Sequence, residues 1–455
     1  MHHPWLRALA ACLILSGPAL AAPNTERIDA IVNEWLQSTA VPSVSIALVE
    51  HGDVTYTQAY GKARLEPATP ATSAMRYAIA SNSKEFTAAA VLILAEQGKL
   101  SLDDKVARWF PDLGAAAEVS LRQLLTHTSG VRDYWPQDFV PPEMLRPTTV
   151  RGILEEWARR PLDFPPGTDW QYSNTGYVLA AAIVEKVAGQ PLVAFLQQHV
   201  FAPLQMNHVT EDDTAPLPAG DAAGYTRYGL GPPHPAPKEG AGWLFGAGEL
   251  AMTAGDLALW DISLMNRSLL APRSYDALFE QVTLKDGSHR NYGLGLEIAN
   301  VQGRRIFGHT GEASGYLSAN RIWPDERIAV VVLTGSDWAE PDELVSRIAY
   351  AVLPQDPALA RASRVFAEFQ NGSVDRADFT PSGNSWLTAR TLAELKASLK
   401  PLGPARLIEL RNESRRGGMI TRIWRVLCRA RRLRIVEISY PDGPLEQFLV
   451  MQAPD

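Results

Sequence analysis

Two β-hairpin patterns that lie far apart in the chain constrain its fold more than any other sequence feature. In each, two runs of apolar and β-branched residues flank a short polar turn: 44–49 with 54–60, and 316–323 with 328–333. Such runs on either side of a Gly- or Pro-containing turn are typical of hairpins. The two hairpins can share one sheet only if the chain between them leaves that sheet and returns to it.

The chain between and around the hairpins has helical periodicity. Apolar residues at spacings of three and four predict helices at 86–97, 150–157 and 177–188, and further helices at 25–38 and 341–352 lie outside the hairpins. We therefore expect an α/β fold, in which an antiparallel sheet is flanked by terminal helices and a mainly helical subdomain is inserted between its early and late strands. A cleft at that junction would be the natural site for a ligand.

The 455-residue chain is too long for one compact core, and its character changes near residue 355. Short predicted helices and then strands follow that point, at 358–369, 389–399, 423–428, 433–438 and 448–451. We predict a large domain at 22–355 and a small α+β domain at 360–455. Six arginines from Arg422 to Arg434 could suggest a polyanion site, but several alternate with apolar residues and predict the solvated face of a strand.

The N-terminus has the pattern of an export signal. Arg7 precedes a short apolar run at 8–19, and Ala19-Leu20-Ala21 supplies a cleavage site, so residues 1–21 are predicted to be a signal peptide. We therefore expect a secreted, periplasmic protein. No stretch reaches the roughly 20 apolar residues that a membrane span requires. If Cys12 leaves with the signal, Cys428 is the only thiol, which excludes an internal disulfide and a cysteine zinc site.

Ser81 and Lys84 carry the first chemical signal. They open a helical run, and residues three apart on a helix share a face, so the lysine amine can lie beside the serine hydroxyl. A lysine with a lowered pKa can take the hydroxyl proton, and the start of a helix can stabilise a developing oxyanion. Taken alone, a capping serine beside a surface lysine explains this pattern better.

Two later segments supply groups that suit the same reaction. In Tyr172-Ser173-Asn174, the phenol can relay protons and the amide can hold a substrate carbonyl or orient the lysine. His309-Thr310-Gly311, followed by Glu312, predicts a β-edge along which a substrate could lie.

Three segments, taken in this order, resemble the three motifs of the serine β-lactamase and penicillin-binding-protein superfamily. They are Ser81-Asn82-Ser83-Lys84, Tyr172-Ser173-Asn174 and His309-Thr310-Gly311. The likeness is to the branch that holds class C β-lactamases, D,D-carboxypeptidases and esterases. It covers roughly residues 26–353 and includes Gly246-Ala247-Gly248.

The resemblance implies a serine hydrolase. Ser81 would be acylated, Lys84 and Tyr172 would transfer protons, and the substrate would be bound by Asn174, His309, Thr310, Gly311 and Glu312. In this family the oxyanion is held by the backbone NH of the nucleophile and by one just after the third motif, here Ser81 and Glu312. The resemblance leaves open which of Lys84 and Tyr172 is the acylation base.

His309 departs from the family pattern, because the third motif commonly begins with a lysine that meets a substrate carboxylate. A histidine is only partly charged near neutral pH, so anion recognition should be weaker or pH dependent, which argues against efficient β-lactam hydrolysis. The alternative is a structural histidine bonded to a backbone carbonyl. For His127, by contrast, we expect a structural role at a helix end. The sequence has no Gly-x-Ser-x-Gly elbow, which argues against an α/β-hydrolase.

Two functions from different classes fit these patterns. The first is an exported serine hydrolase acting on an ester, amide or D-amino-acid peptide, and the second is a catalytically idle binding or sensor protein for cell-wall fragments or acylated ligands. The net charge of −7 argues against nucleic acid, which leaves a small-molecule or peptide acyl substrate as the partner. No metal motif is found and no cofactor is expected. The C-terminal domain resembles, less closely, nuclear-transport-factor-2-like domains, and the oligomeric state is left open.

Overall fold

The computed structural model describes residues 25–453 except 302, 355, 430 and 442. The predicted signal peptide at 1–21 and Cys12 lie outside these residues. Among the helices described, no single one is long and apolar enough to cross a membrane. Only the bent pair Asn174–Ala188 and Leu192–Phe201 passes that test together, by length and composition.

The strands of the described residues follow one another along the chain as β1 (Ser43–Glu50), β2 (Asp53–Arg64), β3 (Thr69–Pro70), β4 (Tyr77–Ala78), β5 (Thr210–Glu211), β6 (Tyr225–Thr226), β7 (His234–Pro235), β8 (Leu250–Met252), β9 (Glu297–Val301), β10 (Arg304–Ala313), β11 (Tyr316–Trp323), β12 (Ile328–Thr334), β13 (Leu407–Arg416), β14 (Met419–Leu427), β15 (Arg432–Ser439) and β16 (Leu445–Gln452).

The main sheet is antiparallel and has seven strands in the order β3-β2-β1-β12-β11-β10-β9. Its centre joins the two predicted hairpins, since β1 pairs with β12 from Val44 opposite Thr334 to Val49 opposite Ala329. The expectation that early and late strands share one sheet is therefore confirmed.

The α-helices of the described residues are α1 (Thr25–Thr39), α2 (Ser83–Glu96), α3 (Leu121–Leu125), α4 (Val150–Ile153), α5 (Asn174–Ala188), α6 (Leu192–Leu196), α7 (Ala254–Asn266), α8 (Pro272–Leu278), α9 (Pro341–Val352), α10 (Pro357–Asn371), α11 (Pro381–Trp386) and α12 (Ala389–Leu399). The helices α4 and α6 continue as π-helical turns, at Leu154–Ala158 and Gln197–Phe201.

Helices cover both faces of the sheet, which explains why β1 is apolar and buried almost throughout. Alternate residues of β1 face opposite sides, so Ile46 packs with α1 and α9 in one core cluster while Ala47 packs in a second cluster with the helical subdomain. The helices α2 and α5 are the most deeply buried part of that subdomain. Their N-terminal ends lie at its junction with the sheet, and the predicted cleft forms there.

The C-terminal part has a core of its own. The helices α10 and α12 pack on a four-stranded antiparallel sheet in the order β13-β14-β15-β16. In β14 the arginines alternate with apolar residues, as predicted for the solvated face of a strand. Trp424 and Val426 are buried, while Arg422 and Arg425 form ion pairs with glutamates. Contacts with the large domain include an ion pair of 2.5 Å between Arg406 and Glu34.

Candidate active site

Ser81 lies on a short 3-10 turn that leads directly into α2. The preceding residue, Ala80, has φ of 45°, a left-handed conformation that is unfavourable for a residue with a side chain. The buried Asn82 side chain holds the turn on the sheet, because its amide donates to His309 O at 3.2 Å and to Asn320 Oδ1 at 2.7 Å. The nucleophile predicted from the sequence is therefore fixed against β10 and β11.

Gly311 explains why the third motif ends in glycine. A Cβ atom at this position would lie 2.1 Å from Ile79 O and 2.3 Å from Ser318 Oγ. Any side chain would therefore push β10 away from the turn that carries Ser81.

Lys84 is completely buried, and its amine contacts three oxygen atoms. Nζ lies 2.9 Å from Ser81 Oγ, 2.8 Å from Asn174 Oδ1 and 2.7 Å from Ala247 O. Burial lowers the pKa of Lys84 to about 7, against an opposing effect of the Asp133 carboxylate. A neutral amine has two hydrogens and one lone pair. Because the Asn174 and Ala247 oxygens can only accept, the lone pair of the neutral amine faces the Ser81 hydroxyl.

Asn174 owes its orientation to Asp133. The Asp133 carboxylate accepts from the Asn174 backbone NH at 2.9 Å and from its side-chain Nδ2 at 3.4 Å. With the nitrogen directed at Asp133, the oxygen of the Asn174 amide faces Lys84. Of the two roles considered for Asn174, the geometry shows the orientation of the lysine.

Tyr172 is hydrogen-bonded to Ser81, and its ring centroid lies 4.9 Å from Lys84 Nζ. Burial raises the pKa of Tyr172, so its phenol keeps its proton over the ordinary pH range. Such a group can pass a proton on but is a poor base, which distinguishes it from the neutral amine of Lys84.

The expectation of a partly charged His309 is wrong. The ring is buried, and burial together with the charge of Lys84 lowers the pKa of His309 to about 3. Its Nδ1 lies 2.5 Å from Thr310 O and its Nε2 lies 2.8 Å from the Tyr292 hydroxyl, so both ring nitrogens already have partners. The alternative of a histidine bonded to a backbone carbonyl describes this ring better than an anion anchor.

Thr310 and Glu312 lie on the part of β10 that extends beyond β9. The pairing of β9 with β10 ends at Gly308, whereas β11 accompanies β10 as far as Ala313. One side of the strand is therefore open, as predicted. The Thr310 hydroxyl points toward Glu297, with 3.4 Å between Oγ1 and Oε1.

Two cavities meet at Ser81. The loop-side cavity, about 690 Å³, is lined on its outer wall by residues 133–140. The strand-side cavity, about 620 Å³, runs along β10 toward residues 337–342. Ser81 and Tyr172 line both cavities, so all of the predicted catalytic residues meet where the cavities join or directly beneath that point.

The site also contains residues that sequence reasoning did not assign: Asp133, Tyr292, Glu297 and the carbonyl of Ala247. The segment 246–248 was singled out for its resemblance, but nothing indicated that its backbone would accept a hydrogen bond from Lys84. His127 is structural as expected, and its Nδ1 accepts from the backbone NH of Ser173 at 3.1 Å.

Among the described residues, one group of carboxylates is close enough to hold a metal ion. Oxygen atoms of Glu211, Asp213 and Glu249 lie within 4.8 Å of one another. Backbone NH groups of residues 242, 244 and 246 already donate to Asp213 and Glu249. None of the three carboxylates lines either cavity at Ser81.

The fold and the site together define a β-lactamase-like serine hydrolase. A protein-family model described as Beta-lactamase matches residues 28–355, and the chain belongs to this family. Penicillin-binding protein 4* of Bacillus subtilis (strain 168) is 29% identical over 307 residues, which are 64% of this chain and 68% of that protein.

Solved structures extend the comparison. A D-stereospecific amidohydrolase from Streptomyces sp. is 25% identical, with a TM-score of 0.62 over 72% of this chain and 99% of that chain. The octameric penicillin-binding protein homologue from Pyrococcus abyssi is 22% identical, with a TM-score of 0.63 over 95% of this chain and 97% of that chain. The latter therefore shares the fold of the C-terminal part as well. The likeness of that part to nuclear-transport-factor-2-like domains stays a prediction.

Proposed function

We propose that the protein hydrolyses an ester or amide through an acyl-enzyme on Ser81, with Lys84 as the general base. The observation that carries this proposal is the surroundings of the Lys84 amine. Two obligate acceptors take its hydrogens, and burial lowers its pKa to about 7, which leaves the lone pair facing Ser81 Oγ. A binding or sensor protein needs no such arrangement, so the geometry favours the enzyme.

In the proposed reaction, Ser81 Oγ attacks the substrate carbonyl carbon and its proton passes to Lys84. The new Oγ–carbon bond forms, and the bond from that carbon to the leaving group breaks. The proton returns to the leaving group by way of the protonated phenol of Tyr172. Water then attacks the acyl carbon while Lys84 accepts a proton from it. The bond from that carbon to Ser81 Oγ breaks, Lys84 returns the proton to Oγ, and the carboxylic acid product leaves. The backbone NH groups of Ser81 and Glu312 are the proposed donors to the oxyanion.

We further propose that the substrate is neutral or positively charged. Five carboxylates line the strand-side cavity: Glu297, Glu312, Asp337, Glu340 and Asp342. The loop-side cavity has Asp133, Asp138, Glu312 and Asp337. No lysine or arginine in the described part of the chain lines either cavity. The negative potential of such a cleft repels a substrate carboxylate.

The surroundings of Thr310 support the same conclusion. Its hydroxyl faces the Glu297 carboxylate, and Arg321 pairs with both Glu297 and Asp342, at 2.8 and 2.9 Å. This arginine is thus engaged by two acidic partners. Together with the uncharged His309, this arrangement leaves no free cation among the described residues that line the two cavities for the carboxylate of a β-lactam or D-alanyl peptide.

The similarity to a D-stereospecific amidohydrolase supports an amide of a D-amino acid as one candidate substrate. Secretion to the periplasm is part of the proposal and is supported by the signal pattern of residues 1–21.

A charge-matched substrate series tests the proposal. Phenylalanine p-nitroanilide, in D and L forms, would be compared with its N-acetyl and N-succinyl derivatives, which share the scissile bond but differ in charge. We expect kcat/KM for the cationic or neutral compounds to exceed that for the succinyl compound by at least about tenfold, less at high salt. p-Nitrophenyl acetate and benzylpenicillin extend the series, with Ser81→Ala as the inactive control.

Two results would contradict the proposal. Equal or faster cleavage of the succinyl compound, or hydrolysis of benzylpenicillin as efficient as that of the best amide, would refute the charge argument. Ligand binding without turnover of any ester or amide would favour the binding-protein alternative.

A further inference from the structure

Three buried side chains form a hydrogen-bonded chain behind the catalytic residues. The Tyr292 hydroxyl lies 3.2 Å from His127 Nε2 and 2.8 Å from His309 Nε2. All three side chains are buried, with 3% exposure or less. The Tyr292 hydroxyl therefore connects two histidines that lie in different parts of the fold.

The positions of the protons in this chain follow from its two ends. The backbone NH of Ser173 donates to His127 Nδ1, so that nitrogen carries no hydrogen and a neutral His127 is protonated on Nε2. At the other end, Thr310 O can only accept, so His309 carries its hydrogen on Nδ1. The Tyr292 hydroxyl consequently accepts from His127 and donates to His309.

This direction requires both histidines to be neutral and to be in opposite tautomers. A second hydrogen on His309 would place an N–H against the hydroxyl hydrogen of Tyr292, which would then have to turn away from His309 toward the Tyr177 hydroxyl, its other hydrogen-bond partner. Burial and the nearby charge of Lys84 lower the pKa of both histidines, in agreement with this arrangement.

The two ends of the chain lie in opposite walls of the cleft. Ser173 separates Tyr172 from Asn174 and caps α5, since its side chain accepts from the NH of Gly176. The His127 ring packs on the Tyr172 ring with 4.3 Å between centroids. Thr310, at the far end, directly precedes the glycine that contacts the turn of Ser81.

We propose that Tyr292 is a positioning residue. Its hydroxyl bridges His127 and His309, whose tautomers are set at their far ends by Ser173 NH and Thr310 O, and thereby holds the Tyr172–Asn174 loop at a fixed distance from β10. The effect on catalysis rests on the proposed function, whereas the tautomers do not depend on it.

Tyr292→Phe tests this inference, because it keeps the ring and removes only the hydroxyl. Tyr275→Phe is the matched control, since Tyr275 is also buried and its hydroxyl accepts from the NH groups of Leu269 and Leu270 far from the cleft. Nitrogen-15 NMR of histidine-labelled protein reports which ring nitrogen carries the hydrogen. His127→Gln and His309→Gln assign the two signals.

We expect wild-type His127 to be the Nε2–H tautomer and His309 the Nδ1–H tautomer. In Tyr292→Phe both tautomers should persist, because Ser173 NH and Thr310 O remain, but the Nε2 signals of both histidines should shift as they lose their partner. For the best substrate kcat should fall about tenfold with KM within about twofold. Tyr275→Phe should lower thermal stability but change neither the tautomers nor kcat.

The same tautomer for both histidines in the wild type, or unchanged Nε2 signals and kcat in Tyr292→Phe, would overturn the inference. If the wild type turns over no substrate, the proposed function fails, and the wild-type tautomers together with the Nε2 signals of Tyr292→Phe alone decide the inference.

Discussion

The ionisation of Lys84 should control the rate of the proposed reaction as pH changes. Only the neutral amine can accept the Ser81 proton, and burial lowers the pKa of Lys84 to about 7. At this pKa about 1% of the amine is neutral at pH 5, about half at pH 7 and about 99% at pH 9. We therefore expect kcat/KM to rise about 50-fold from pH 5 to 7 and only about twofold from pH 7 to 9.

Initial rates of p-nitrophenyl acetate hydrolysis measure this profile when they are read at the isosbestic wavelength of the product. Ser81→Ala supplies the background rate at each pH. Lys84→Arg is the sharper control, since a guanidinium stays charged and cannot serve as the base. It should lose about 10²–10⁴-fold in kcat/KM and show no inflection near pH 7.

Two outcomes would refute this account of Lys84. A value of kcat/KM that continues to rise tenfold per pH unit up to pH 10 would show that Lys84 has the pKa of an ordinary lysine. An inflection near pH 7 that survives in Lys84→Arg would show that another group is the base. Burial lowers the pKa of both His127 and His309, so neither ring accounts for such an inflection.

Three further substitutions test the surroundings of the site and the C-terminal core. Burial raises the pKa of Glu85 to about 8, so the folded state keeps a proton that the unfolded chain releases and stability falls as pH rises from about 5 to 8. In Glu85→Gln, the drop in the free energy of unfolding between pH 5 and pH 8 should be smaller than in the wild type, by on the order of a few kcal/mol, as measured by urea unfolding at both pH values. A drop as large as that of the wild type would contradict this. Gly311→Ala should reduce kcat/KM at least about 100-fold, because the added Cβ would clash with Ile79 O. Gly220→Ala is the control and should leave kcat/KM unchanged, since no atom lies within 4 Å of the added Cβ. Equal kcat/KM values for the two variants would contradict the steric argument. Glu437→Gln breaks an ion pair of 2.6 Å between the buried Glu437 and Arg361. It should lower the free energy of unfolding of the C-terminal part by roughly 3 kcal/mol, measured by calorimetry of the whole protein, and leave kcat/KM unchanged. Unchanged stability would contradict this.

The regular part of the fold could be predicted because its apolar pattern is unambiguous. The helix predicted at 341–352 matches α9, and the two predicted hairpins match β1–β2 and β11–β12 within a few residues. The strand β13 could not be predicted, since most of its residues are polar and exposed and leave no alternation to detect. The start of β10 could not be predicted either, because its first two residues, Arg304 and Arg305, are charged and give no alternating apolar pattern.

The candidate site was predictable only where its residues occur in ordered motifs. Ser81, Lys84, Tyr172 and Asn174 do meet, but the acceptor role of the Ala247 carbonyl depends on the folded backbone and has no sequence signal. The uncharged state of His309 likewise depends on burial beside Tyr292, which follows from tertiary packing alone. Sequence reasoning could therefore locate this histidine but not determine its charge.

Covalent labelling of Ser81 tests the central claim most directly. The protein would be treated with a fluorophosphonate at pH 8, digested, and examined by mass spectrometry for the modified peptide. We expect one adduct per chain, on Ser81, with labelling lost in Ser81→Ala and slowed strongly in Lys84→Arg. Folded wild-type protein that remains unlabelled, or that is labelled equally well in Ser81→Ala, would contradict the account.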